Sequence, residues 1–114
     1  MRVIEFRAWD TEFEEFVNPQ YSLLGLNIKY IFMQYTGLKD KNSVKIFEGD
    51  IISVFDYDTE FLGSAEVCFK DFSWSVKWLE SSEECIVPFY ETFCDEKTIK
   101  VIGNIYENPE LIKE

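Results

Sequence analysis

The sequence predicts a mainly β protein with little helix, its short strands forming a barrel-like or coiled sheet. Aromatic residues make up 18% of the 114 residues, and aromatic side chains favour strands and large-residue cores. In the second half, apolar residues alternate with polar ones at the period of two that marks a half-buried strand. Turn residues separate these runs at close spacing. The length corresponds to one domain, large enough to bury its own core.

Residues 3–9 are rich in β-formers and read as a first strand. "DTEFEEF" then supplies a turn and a short return strand. Asn18-Pro19 marks a break, because proline cannot donate a ladder hydrogen bond and restricts the residue before it. A short helix within residues 21–26 stays open. Residues 26–35 form a strand with Ile28, Tyr30, Phe32 and Gln34 on one face and Lys29, Ile31, Met33 and Tyr35 on the other. Both faces are largely apolar, which predicts cover on both sides.

Residues 51–55 form a strand that opens from the acidic turn Glu48-Gly49-Asp50. Ala65, Val67 and Phe69 alternate with polar partners, and Trp74, Val76 and Trp78 repeat the pattern. The connector Lys70-Asp71-Phe72-Ser73 lacks glycine, which predicts a link longer than a two-residue turn. Residues 80–96 read as irregular, with Pro88 limiting any helix. A strand over 99–105 follows, and Asn108-Pro109-Glu110 starts a final turn or one-turn helix. The polar stretch at 36–45 is the expected boundary between an N-terminal hairpin lobe (1–36) and a barrel portion (45–114).

Formal net charge is -11, from 22 acids against 11 bases scattered singly along the chain. That charge repels nucleic acid and anionic membrane. No apolar run reaches the length of a membrane span, and the alternating, charged start "MRVIEFRAWD" does not resemble a secretion signal. Cys68, Cys85 and Cys94 are an odd set without a Cys-x-x-Cys pair, which predicts reduced thiols in a cytoplasm. Histidine is absent, so histidine-dependent catalysis is excluded, and the commonest transition-metal ligand is missing.

Three strings, "FRAWD" (6–10), "MQYTGLKDKN…IFEGDI" (33–51) and "VIGNIYENPEL" (101–111), together resemble the YopX family of small phage and prophage proteins, chiefly from Gram-positive bacteria. The residues carrying the resemblance are Phe6, Arg7, Trp9 and Asp10, then Gln34, Tyr35, Thr36, Gly37, Leu38, Asp40, Glu48, Gly49 and Asp50. Gly103, Asn104, Tyr106, Glu107, Asn108 and Pro109 complete the set. The resemblance implies bifurcated, coiled sheets with an SH3-like barrel portion and no assigned activity, so it supplies no catalytic, metal or cofactor residues. One position departs from the family pattern: Ser43 follows Asn42 where glycine is usual. Serine is disfavoured at positive φ, so the expectation is a shifted turn, or Asn42 alone in the left-handed position.

The 36–42 segment is read as a structural pin between the lobes, with Gly37 giving backbone freedom, Leu38 plugging the core and Lys39 to Asn42 solvated. Asp56, Asp58 and Glu60 alternate like a calcium loop, but Phe61 stands where an EF-hand needs glycine. These acids are therefore assigned to a water-facing side, with Phe55, Tyr57 and Phe61 packed behind them. Glu80, Glu83, Glu84, Phe89, Tyr90, Glu91 and Phe93 form an acidic, aromatic segment that could dock a basic groove. The preferred reading is that Ile86, Val87, Phe89 and Phe93 cap the barrel while the acids face water. Trp9, Trp74 and Trp78 are assigned to core packing.

These features predict a non-enzymatic, cytoplasmic accessory protein that binds another protein or itself, without cofactor and without direct contact to nucleic acid or membrane. An acidic surface imitating a phosphate backbone is the alternative. An enzyme working with carboxylates alone ranks third, because nothing in the sequence pairs two acids on opposing elements.

Overall fold

The computed structural model describes residues 5–17, 30–56, 58–70, 73–80, 86–88 and 98–112. Among them the chain forms nine strands: β1 (Phe6–Asp10), β2 (Glu15–Val17), β3 (Tyr30–Lys39), β4 (Lys45–Phe47), β5 (Asp50–Phe55), β6 (Phe61–Lys70), β7 (Ser73–Trp78), β8 (Ile86–Pro88) and β9 (Ile99–Asn104). A 3-10 turn at Pro109–Ile112 follows. The mainly β expectation holds. The strands lie in two antiparallel sheets, ordered β2-β1-β3-β4 and β8-β7-β6-β5-β9.

The larger sheet carries the apolar core. Its pairings set Ile52 opposite Ala65 and Val54 opposite Gly63, with Val67 opposite Val76 and Ile99 opposite Val54. Ile52, Val54, Ala65, Val67, Val76 and Ile99 form one buried cluster, flanked by Trp74, Trp78 and Val101. Ile46 of β4 completes it from the smaller sheet and is fully buried. Burying one such side chain contributes roughly 1.5–3 kcal/mol.

Several local expectations are corrected. β3 is not covered on both faces: Met33 and Tyr35 are buried, but Phe32 is 42% exposed. An apolar run on two faces can thus reflect an exposed aromatic as well as double cover. β3 also runs on through Thr36, Gly37 and Leu38 to Lys39, so this stretch is strand rather than loop. The polar stretch at 36–45 lies within the smaller sheet, and the chain changes sheets at Glu48-Gly49, between β4 and β5. Phe69 is exposed, packing edgewise against Trp74 near the end of the β6–β7 hairpin. Lys70 pairs with Ser73, so only two residues separate these strands. The aligned side-chain pairs along β6 and β7 hold this close register without a glycine.

Within the segment expected to be irregular, residues 86–88 pair with β7 as edge strand β8. An edge is where a sheet tolerates Pro88. The Asn18-Pro19 break, the open helix at 21–26 and the remaining residues of 81–97 lie outside the described residues.

Candidate functional site

The residues carrying the family resemblance converge on the junction between the sheets. Their polar groups there are spent largely on the protein's own backbone. Asp40 is the clearest case, being 2% exposed. Its Oδ1 accepts the amides of Asn42 (2.8 Å) and Val44 (2.9 Å). Its Oδ2 accepts Val101 N–H from β9 at 2.9 Å. The neighbouring Lys41 N–H donates to Ile99 O at 2.9 Å. One carboxylate therefore shapes the β3–β4 turn and fastens it to the other sheet. Leu38 is 39% exposed, so Asp40 rather than a leucine plug makes this connection.

In the same turn Ser43 has φ +65°. Serine itself takes the left-handed position that the family gives to glycine, and the geometry does not shift to Asn42. Its N–H donates to Asp40 O at 3.0 Å, and with Asp40 Oδ1 this holds the turn closed despite the unfavourable residue. Thr36 Oγ1 donates to Ile46 O at 2.8 Å and accepts Leu38 N–H at 3.1 Å, filling the irregular stretch of the β3–β4 pairing. Gly37, within that stretch, has φ +90°.

A second connection joins β1 to β5. Arg7 reaches Asp50 Oδ1 at 2.7 Å, while Asp50 Oδ2 accepts Phe47 N–H at 2.7 Å. The guanidinium carbon lies 4.7 Å from the Phe16 ring centroid and 4.8 Å from that of Phe47. A flat, delocalised cation between two aromatic faces gains a cation–π attraction that strengthens as water is removed. Arg7 also donates to Glu48 O at 3.3 Å, and its Nε is buried without a partner. Burial pushes the Asp50 carboxyl above its ordinary range, outweighing the Arg7 charge and the Phe47 hydrogen bond that act to lower it.

Around these connections the motif residues serve as turn and packing elements. Asp10 Oδ1 accepts Glu12 N–H and Phe13 N–H, closing the β1–β2 turn. Trp9 stacks on Tyr106 at 5.6 Å and meets Phe16 edge-on at 4.9 Å. Gly49 N–H donates to Val67 O, and Glu48 N–H to Gln34 O. The Tyr35 ring lies 5.5 Å from Phe47. Asn104 Oδ1 accepts the amides of Tyr106 and Glu107, and its Nδ2 donates to Glu107 Oε1 at 2.9 Å. Asn108 Oδ1 accepts Asn104 N–H and would lie 2.6 Å from any Cβ at position 103, which is why glycine stands there. Pro109 opens the final 3-10 turn. Phe6 remains 44% exposed.

An open groove of about 450 Å³ runs along this junction, lined by Arg7, Phe47, Asp50, Val101 and Asn104 among others. Lys45 on its wall is paired to Glu5 at 2.7 Å. The groove thus presents ion pairs already made within the chain. A narrower hollow of about 90 Å³ includes Glu48, Glu66, Cys68 and Tyr106. Burial raises the Glu66 carboxyl and the Cys68 thiol, and Glu66 raises that thiol further. A thiol shifted this way is a poor nucleophile. Among the described residues, no three His, Cys, Asp or Glu side chains stand close enough together to hold a metal ion.

The Asp56-Asp58-Glu60 acids do not line one face of a strand. They belong to a turn in which Asp56 Oδ1 accepts Asp58 N–H and Glu60 N–H, each at 2.9 Å. Phe61 is 58% exposed rather than packed behind them, although its ring edge meets Phe55 at 5.9 Å. Sequence reasoning missed this exposure because the irregularity at Val54/Phe55 breaks the alternation it relied on. In the acidic segment, Glu80 accepts Ser64 N–H on both carboxylate oxygens, at 2.9 and 3.0 Å. Glu83, Glu84, Phe89, Tyr90, Glu91 and Phe93, with Cys85 and Cys94, lie outside the described residues.

The fold and junction define a two-sheet β protein whose signature residues hold its halves together. A family model described as YopX protein matches residues 19–113, and the chain belongs to the YopX family. The structure is similar to that of protein EF1440 from Enterococcus faecalis, with a TM-score of 0.65 and 25% identity over 99% of this chain and 100% of that one. It is also similar to protein yopX from Bacillus subtilis, with a TM-score of 0.60 and 21% identity over 97% and 98% of the two chains. No curated protein matches the sequence.

Proposed function

We propose that this protein is a non-enzymatic, cytoplasmic accessory protein of a phage or prophage that works by binding another protein or by associating with itself through exposed sheet edges. The observation that carries this reading is the use made of the polar and apolar groups. The buried carboxylates Asp40 and Asp50, the second of which lines the groove, have both oxygens engaged by backbone amides or Arg7. A general base or metal ligand needs a free lone pair aimed at its substrate. Meanwhile Phe13, Phe61, Leu62 and Phe69 are more than half exposed, and large apolar side chains in solvent are the raw material of protein interfaces.

Net charge of -11 supports a second reading, in which the acidic surface occupies a nucleic-acid-binding protein in place of its ligand. Affinity capture from phage-infected Gram-positive cells at low salt, followed by titration of the purified captured protein, tests both. A stoichiometric protein partner supports the first reading. A nucleic-acid-binding partner released by salt supports the second. Recovery of this protein alone, as a monomer, overturns both.

A further inference from the structure

We infer that the outer end of the β5–β6 hairpin is a docking surface for a basic segment of a partner protein, one carrying an apolar side chain between its cations. This places the interface within the protein-binding reading above and rests on it. Val54 pairs with Gly63, and Phe55 with Phe61, so Leu62 is an extra residue with no partner across the ladder. A bulge of this kind re-aims side chains and raises local twist. Phe61 is left 58% exposed and Leu62 60% exposed, side by side.

Both are held there by fixed surroundings. The Asp56 carboxylate closes the preceding turn on Asp58 and Glu60, and Asp56 N–H donates to Glu60 O at 2.9 Å. On the other side Glu80 grips Ser64 N–H. Gly63 has φ +156°, with the Trp78 ring 3.0 Å and Glu80 Oε1 3.1 Å from where a Cβ would stand, so the backbone after Leu62 is tightly packed. A backbone fixed in place before binding loses little further entropy when a partner covers the side chains it carries.

Charge selects the partner. Asp56, Asp58 and Glu60 lie in the turn just before the pair and Glu80 sits on Ser64 just after it, and Asp58, Glu60 and Glu80 are exposed. Among the described residues, Lys41 at this end lies over the Phe55 ring at 5.3 Å, and Lys100 pairs with Ser53 on the far side of β5. A second copy of this chain would bring two such carboxylate groups together, and a phosphate-bearing surface would be repelled. A lysine- or arginine-rich segment gains from every carboxylate while its apolar residue covers Phe61 and Leu62.

The test titrates the isotopically labelled protein with a short synthetic peptide alternating lysine with leucine around one tryptophan, following each backbone amide by NMR. Saturable shifts should centre on residues 55–64 and on Glu80, and weaken as salt is added. A lysine–serine peptide should bind about tenfold more weakly. F61S/L62S should lose about tenfold in affinity for the lysine–leucine peptide with the fold retained by its amide spectrum, the unfolding midpoint falling only by the loss of the Phe61 edge contact with Phe55.

Shifts centred elsewhere, or none that saturate, overturn this surface. Binding of a natural partner that is unaffected by F61S/L62S also overturns it while leaving the protein-binding reading intact. Recovery of this protein alone, as a monomer, in the capture experiment overturns that reading itself.

Discussion

The inner face of the larger sheet and the junction between the sheets are both buried, and they are held by different means. On the inner face, Ile52, Val54, Ala65, Val67, Val76 and Ile99 exclude water with no polar group to satisfy. At the junction, Asp40 and Asp50 are equally buried, but each holds its position through specific hydrogen bonds. Apolar packing accepts another side chain of similar volume. A carboxylate that receives three backbone amides accepts no substitute, because a buried amide left unpaired costs about 1–3 kcal/mol. This is why the residues carrying the family resemblance gather at the junction, while most of the apolar cluster lies outside those strings.

The sharpest way to break the comparison is D40A, which strands the amides of Asn42, Val44 and Val101. It should cost about 3–5 kcal/mol in urea unfolding. A loss below about 1 kcal/mol would mean that water replaces the carboxylate and that the junction is not held by it.

Next comes Arg7. Removing it as R7M leaves Asp50 buried without its ion partner and should cost about 3 kcal/mol near neutral pH, at the low end for breaking a buried pair. The Asp50 carboxyl already sits above its ordinary range because burial disfavours its charge. A carboxyl raised in the folded state contributes stability that is fully present below its unfolded value and lost as pH rises through the folded value. Unfolding midpoints at about pH 5 and about pH 7 should therefore fall with rising pH, and more steeply in R7M. An equal slope in both proteins would show that Arg7 does not offset the Asp50 charge.

The conservative core change I52V should cost only about 1 kcal/mol, measured by the same unfolding curves. A cost equal to that of D40A would erase the distinction between the two regions. The smallest effects are gains. S43G and T59G remove residues with β-carbons from φ +65°, and each should raise stability by about 1 kcal/mol. A loss at position 43 would mean that the serine hydroxyl contributes more than the strain it incurs.

Much of the fold was legible in the sequence because alternation survives wherever a strand is covered on one face. Ala65, Val67 and Val76 were placed correctly on that basis. The 3-10 turn was legible from Asn108-Pro109, since proline suits a first helical position. Phe61 and Phe69 were not, because a bulge and a strand end take side chains out of the alternating order. Asp40 was assigned to a solvated turn, as a polar residue among Lys39, Lys41 and Asn42 would be on composition alone. Its burial depends on β9, and no local pattern announces a partner so distant in sequence.

That distance has a consequence for the making of the protein. Val101 lies 61 residues beyond Asp40, and Tyr106, the ring on which Trp9 stacks, comes later still. As the chain leaves the ribosome, the small sheet can pair its own strands, but its fastening arrives only with β9. Until then the carboxylate, the tryptophan and the open side of the growing sheet all stand in water. Contacts this remote close slowly. The nascent chain therefore cannot close its junction until β9 and Tyr106 have been made.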